Sequence, residues 1–283
     1  MSAGISSVAD EVIVQVKEQK SFNIIDFISN EYFLYVVSFT GFILLWHYVA
    51  ALHLLGESLA TPMETLEEMN RLMTVKLAGK NLLQHIWAST RRVFTGFAIG
   101  AVLGIPLGLF MALNRYVNAF SKSLFDLLKP MPPLAWISVA ILWFGIGESS
   151  KIFIIAIGAF VPCVLNAYSG VRIIEEELYD VVRVLGGNRW DEIIQVSFPA
   201  ALPALFAGVQ ISLSISWTCV LAAELVSARS GLGWIIIRGM KLSKPELVLG
   251  GMVIIAIVAT LVTMMVYAVE KTLCPWKRSA GNN

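Results

Sequence analysis

Charged side chains are scarce in this chain: Asp, Glu, Lys and Arg make up 14% of its 283 residues, against roughly 25% in average soluble domains. A soluble fold of this length needs more polar surface to cover itself. The signs also balance, with a net charge of +1 and no Lys/Arg-rich run, which removes the electrostatic case for nucleic acid. Cysteine is nearly missing. Cys163, Cys219 and Cys274 lie far apart, without CxxC or Cys/His spacing, so neither a disulfide framework nor a zinc site is implied. His47, His53 and His85 read as interfacial side chains rather than metal ligands. There is no GxxxxGK[ST] loop to cradle phosphates, and no HExxH, GxSxG or nucleophile–base constellation. Ser149 and Ser150 beside Lys151 read as a tight inter-span turn, not a catalytic pair. The chain accordingly reads as non-enzymatic, with no cofactor or metal of its own. Residues 1–30 do not read as a secretory leader, because Asp10, Glu11, Lys17, Glu18, Lys20 and Asp26 are mixed with scattered apolar positions. They read as a cytoplasmic N-terminal segment, amphipathic or loosely ordered.

Apolar residues fill the space that charge leaves, at 57% of the chain and a mean hydropathy of +0.74. A bilayer core of ~30 Å takes ~20 apolar residues in helix. Runs long enough stand at about 32–52, 93–113, 152–168, 202–223 and 247–269. A sixth, Leu134 to Phe144, is apolar but short, and Lys129-Pro130-Met131-Pro132-Pro133 precedes it. Those prolines break or redirect the chain, and backbone freed inside a membrane must be buried in protein or line a cavity. A plain helix start is the alternative. The pattern predicts an all-α integral membrane protein with about six transmembrane helices.

Within the second run, Gly96, Gly100, Gly104 and Gly108 recur every four residues, on one helix face. Small residues let helix backbones approach closely in lipid. The stripe therefore packs against another helix of the chain, or forms a dimer or gate contact. Pro106 predicts a kink in the same run. The segment His53 to Gln84, with Glu57, Glu64, Glu67, Glu68, Arg71, Lys76 and Lys80, reads as an amphipathic surface helix in an outer loop. The 21 Lys and Arg divide almost evenly between the two sides of a six-span topology, so the positive-inside rule gives no orientation.

Residues 175–199 are unlike the other connections. They are charged, yet Val181, Val184 and Leu185 fall on one helical face, and after Gly186-Gly187 a second stripe follows with Trp190, Ile193 and Ile194. This pattern predicts two short helices joined by a glycine turn, Gly supplying the positive φ that other residues resist, with Pro199 ending the segment. Such an element either plugs into a groove on a partner or packs on its own chain's membrane surface.

Asp180-Val181-Val182, then Gly186, then Phe198-Pro199 resemble the EAA loop of bacterial ABC importer permeases. The family's glutamate corresponds to Asp180, its two alanines to Val181 and Val182, and its glycine to Gly186. Arg92-Val93-Phe94-Thr95-Gly96-Phe97, Lys129 to Trp136, and Trp143-Phe144-Gly145-Ile146-Gly147-Glu148-Ser149-Ser150-Lys151 look like the taurine, aliphatic sulfonate and nitrate group of these permeases. Ser216-Trp217, Ala222-Ala223-Glu224-Leu225 and Gly231-Leu232-Gly233 are similar to the same branch, with Phe144 to Glu148 closest to the taurine and sulfonate side. The resemblance spans roughly residues 30–276. It implies a type I importer fold, with a first helix and outer loop over 31–85, a transmembrane core over 86–272 and a cytoplasmic tail over 273–283. It also implies a second copy of the chain, two ABC ATPase subunits that bind the ATP and Mg, and a periplasmic or lipid-anchored binding protein. Both termini would be cytoplasmic in a bacterial inner membrane, as would residues 175–199. On that loop Asp180, Arg183, Gly186, Asn188, Arg189 and Trp190 would meet the ATPase.

The translocation path is less legible. Ser212, Ser214, Ser216, Trp217 and Thr218 do not share one helical face, so some meet protein or a water-filled path, or their hydroxyls bond within the helix. Ser216, Trp217 and Glu224 stand as candidate cavity residues, while an anionic solute would suit Arg229 or Arg238 better than Glu224. The expected solute is taurine or another sulfonate, or else nitrate, bicarbonate or another small organic acid. A membrane-embedded enzyme would need an ionisable cluster within the spans, and the sequence reads as having none.

Overall fold

The computed structural model describes residues 31–54 and 56–278; the expectation for residues 1–30 falls outside them. The chain divides into two compact units, 1–62 and 63–283. In the first, α1 (Glu31–Ala51) is apolar on every side, and Trp46 donates its indole N–H to the Ala60 carbonyl at 2.9 Å.

The second unit is built of helices joined by short turns: α2 (Pro62–Thr74), α3 (Leu82–Leu113), α4 (Arg115–Leu128), α5 (Ile137–Phe144), α6 (Glu148–Arg172), α7 (Glu176–Val184), α8 (Phe198–Ser227), α9 (Leu232–Lys241) and α10 (Pro245–Leu273). Among the described residues five helical stretches are long and apolar enough to cross a membrane, and the bent pair α4–α5 makes up to six. The second span is longer than the apolar run suggests. It begins at Leu82 and passes unbroken through Pro106.

The glycine stripe organises this unit, and it faces inward. Gly96 lies against Ile155, Gly100 against Ala159, Gly104 against Cys163 and Gly108 against Ala167. Each step of four on α3 matches a step of four on α6 in the same direction, so the two helices run parallel. A parallel pair needs a crossing return between its members, and the return is the pair α4–α5, bent by 84°. Asn114 ends α3 and caps α4, accepting from the backbone N–H of Tyr116 and Val117. The proline segment after Leu128 then turns the chain, and Pro133–Trp136 forms a 3-10 turn. Leu134 to Phe144 is thus the second limb of a broken span, not a span by itself.

On its other face α6 meets α8. Gly158 packs on Cys219 and Ile215, Gly208 on Asn166, and Gly170 on Ala204, so these two helices are antiparallel. α9 folds back on α10 through Gly239 against Val248 and Gly251 against Ile236. The amphipathic helix expected before α3 is α2, which buries Thr65, Glu68 and Leu72 and sets Met69 against Gly250 of α10.

Candidate functional site

The segment between α6 and α8 is built as a rigid angle. α7 ends in a glycine stop. The N–H of Gly187 bonds the Val182 carbonyl at 2.9 Å and that of Gly186 bonds Arg183 at 3.0 Å, while Gly186 takes φ 81°. This is the paired hydrogen-bond pattern in which glycine satisfies the last carbonyls of a helix. One residue later the chain restarts. The Asn188 side chain accepts from Trp190 and Asp191 N–H, and Asp191 accepts from the N–H of Asn188 at 2.7 Å, a reciprocal cap.

The charges of this segment hold it to itself and to its own membrane helices. Arg183 donates to Glu192 at 2.8 Å and to Asp180 at 2.9 Å; hydrogen bonding to Glu192 raises the Arg183 pKa above its ordinary value. Tyr179 and Ser197 hydroxyls meet at 3.1 Å. Arg189 donates to the Leu113 carbonyl at 3.0 Å, a cation at the negative end of α3. A polar hollow of about 710 Å³ lies among Leu113, Arg172, Tyr179, Arg183, Arg189 and Glu192. Ile193, expected on the second apolar stripe, lines this hollow instead, while four other apolar residues are exposed. Val184 is 86%, Leu185 82%, Trp190 72% and Ile194 64% exposed. Internal bonds thus occupy Asp180, Arg183, Asn188 and Arg189, and the outward surface is a hydrophobic stripe interrupted by the glycine turn.

Pro199 does not end the segment, contrary to its reading from sequence. A π-helical stretch, Glu192–Ser197, feeds directly into α8, and Pro199 occupies the first turn of that helix. Proline has no N–H to offer there, and the wider turn before it does not need one.

At the opposite end of α3, α6 and α8 lies a cluster that local sequence pattern missed. Arg92, 4% exposed, makes a bidentate pair with Glu148 at 2.7 Å on both arms. It also reaches Glu224 at 2.6 Å and the Ser230 carbonyl at 2.7 Å. Glu224, 1% exposed, accepts from the Ser89 hydroxyl and from the N–H of Gly233 at 2.8 Å. Lys151 donates to Glu148 at 3.1 Å. His85 is buried, not interfacial. Its Nδ1 accepts from the N–H of Gly231 at 3.1 Å, so its Nε2 donates to the Leu77 carbonyl at 3.1 Å, and its ring stacks on Trp234. The spans therefore do hold an ionisable cluster. Its donors and acceptors are so matched that it fixes three helices rather than offering a reactive group. Ser150 and Lys151 belong to the first turn of α6, not to an inter-span turn, Ser150 bonding the Gly147 carbonyl.

Of the candidate cavity residues, Glu224 sits inside this cluster. Ser216 is fully buried and bonds the Ser212 carbonyl of its own helix at 2.7 Å. Ser212 reaches across to the Ala159 carbonyl of α6 at 2.9 Å. Trp217 is 5% exposed, and its indole N–H has no partner among the described residues. Among those residues no group of three or more His, Cys, Asp and Glu could hold a metal ion.

Comparison with known proteins agrees with this architecture. The profile of the family described as binding-protein-dependent transport system inner membrane component matches residues 104–278. The taurine transport system permease protein TauC of Escherichia coli is 32% identical over 235 residues, 82% of this chain and 85% of that protein. The bicarbonate transport system permease protein CmpB of Synechococcus elongatus is 39% identical over 158 residues, 56% of this chain and 57% of its own. Among solved structures, the inward-facing MetNI methionine ABC transporter superposes with a TM-score of 0.59 at 19% identity, covering 68% of this chain and 95% of the matched one. The chain belongs to the inner membrane components of binding-protein-dependent transport systems, and it is an ABC importer permease subunit with the type I fold.

Proposed function

We propose that the chain forms, with a second copy of itself, the pore of an ATP-driven importer for a small anionic or zwitterionic organic solute, taurine or another sulfonate. Two ATPase subunits bind ATP and Mg beneath the pore, and a binding protein delivers solute from the other side of a bacterial inner membrane. Residues 175–199 face the cytoplasm with both termini. The observation that carries this reading is the exposed stripe Val181, Val184, Leu185, Trp190 and Ile194 on a loop whose charges are bonded internally. An apolar patch of this kind on a rigid element marks a docking surface. Gly186, Asn188 and Arg189 give it its angle, and Trp190 is its anchor. Nucleotide closure of the ATPase pair moves the two loops together. Because Arg189 ties each loop to the end of α3, that motion reaches the membrane helices, and ATP favours one pore state through its differential contacts. A second reading is an importer of bicarbonate, nitrate or another small organic acid, and the identity to the bicarbonate permease CmpB over 158 residues supports its bicarbonate form.

The test is uptake into proteoliposomes holding this subunit, its ATPase and its binding protein. ATP-dependent uptake of labelled taurine, lost in Gly186→Val, is the expected result. Full uptake by Gly186→Val refutes the coupling role of the glycine turn. Uptake of bicarbonate or nitrate in place of taurine moves the chain to the second reading.

A further inference from the structure

The end of the bundle that carries the ionic cluster also carries an open cleft. It measures about 730 Å³ and is lined by Lys80, Gln84, Trp87, Arg91, Arg92 and Glu148 among others. Its floor is already satisfied, since Arg92 spends its donors on Glu148, Glu224 and Ser230. Its walls are not. Arg91 is 62% exposed and approaches Glu148 only to 3.9 Å, beyond hydrogen-bond distance. Lys80 makes no ion pair among the described residues and lines the same cleft. Trp87, 67% exposed, stands beside them on the first turns of α3.

Lys80 is held there by construction. Leu77 and Lys80 pair across a tight turn whose central residues, Ala78 and Gly79, have φ of 49° and 76°. A left-handed alanine is costly, so the turn needs anchoring. The anchor is His85, which donates to the Leu77 carbonyl and accepts from Gly231. The charge around the cleft is unequal. Among the described residues, Arg91, Arg92 and the buried Lys151 form ion pairs with Glu148 and the buried Glu224 alone, and Lys80 forms none, so four cations stand against two carboxylates. A partly buried excess of one sign concentrates the opposite ion.

We propose that this cleft is an entry site for a small free organic oxyanion, a sulfonate or carboxylate. Arg91 and Lys80 hold the oxyanion, and the Trp87 ring lies along the organic part. The proposal rests on the importer reading for its biological sense, because the cleft lies at the end of the helices opposite the docking loop, where solute would arrive.

The probe is 2,2,2-trifluoroethanesulfonate, followed by 19F line broadening with the purified permease–ATPase complex in nanodiscs. The wild type should broaden the line, and taurine or acetate should compete. Lys80→Gln/Arg91→Gln should weaken binding by about tenfold or more, two charge-assisted contacts being lost. Arg91→Lys should retain most of it, and Arg229→Gln/Arg238→Gln should leave it unchanged. Arg91, Arg229 and Arg238 are exposed and Lys80 is half-buried, and unchanged elution and melting of the variants report intact folding. No broadening by the wild type, equal broadening by Lys80→Gln/Arg91→Gln, or loss only in Arg229→Gln/Arg238→Gln each overturns the proposal. A carboxylate borne by the binding protein offers the same chemistry. If the free probe is not broadened, yet Lys80→Gln/Arg91→Gln needs more binding protein for half-maximal ATP hydrolysis, the occupant is that carboxylate and the free-anion proposal fails. ATP-dependent uptake by the wild type is scored separately, so an absent uptake counts against the importer reading and not against the cleft.

Discussion

A valine at Gly100 would test the parallel pairing of α3 and α6 directly. A Cβ there meets the Ala156 carbonyl at 2.6 Å and the Ala159 Cβ at 2.7 Å. Restoring ordinary contact at ~3.4 Å parts the helices by roughly 0.8 Å, a gap that forfeits a quarter to a half of each dispersion contact along the seam. Overpacking of this kind costs about 1–3 kcal/mol, and valine's two further methyls set it at the upper end. The gain in helix propensity over glycine returns only about 0.4 kcal/mol. At ~2–4 °C per kcal/mol for a chain of this size, the net cost of about 2.6 kcal/mol should lower melting by about 5–10 °C. Gly104→Val opens the same seam, so the double variant should lose clearly less than the two singles together. Gly41→Val, where nothing lies within 4 Å, should melt like the wild type. Thermal unfolding in detergent, followed by tryptophan fluorescence, reads the four variants beside the wild type. Gly100→Val melting within about 2 °C of the wild type, or strict additivity with Gly104→Val, would refute the packing described above.

Arg92→Met leaves Glu224 buried and unpaired and should cost about 3–5 kcal/mol; in the same melting assay Arg92→Met/Glu224→Met should recover part of that loss, and a double variant worse than Arg92→Met would contradict the pairing. Gly231→Ala drives a Cβ into the Glu224 carboxylate and should resemble Arg92→Met in melting, unlike Gly147→Ala, whose site is open. At the docking loop, Gly186→Ala meets no neighbour and should cost only the left-handed strain of about 1–2 kcal/mol, whereas Gly187→Ala collides with Val182 and should lose more. Trp190→Ala should weaken assembly with the ATPase, read by co-purification, without lowering the melting temperature of the isolated permease, because Trp190 is exposed in the single chain.

The glycine stripe was legible because one residue type repeated at the helical period, and only its partner was missing. The glycine stop within residues 175–199 was legible for a similar reason, two apolar stripes being broken by a glycine pair. The ionic cluster had no such signature. Arg92 and Glu224 stand 132 positions apart and Arg92 and Glu148 stand 56 apart, and no local period links them. Each looked like an isolated charge at the margin of an apolar run. His85 misled similarly, since a histidine near a span end is commonly interfacial and only the turn at Leu77 and Gly231 makes it structural. Pro199 was misread because a proline after a helical stretch signals a stop, while a proline after a π turn opens the next helix.

That π turn sets an angular offset between the two halves of a 39-residue helical stretch, Arg189–Ser227. One extra residue in a helix advances everything after it by ~100° about the axis. Trp190 and Ile194 therefore look outward on one bearing while Ser212, Ser216 and Glu224 look inward on another, and residues 192–197 alone set the difference. Removing one residue from that stretch would let an ordinary α-turn close and swing the exposed apolar face round the barrel of the same helix, with every side chain chemically intact. The permease would then keep its membrane core and present its partner with the wrong meridian.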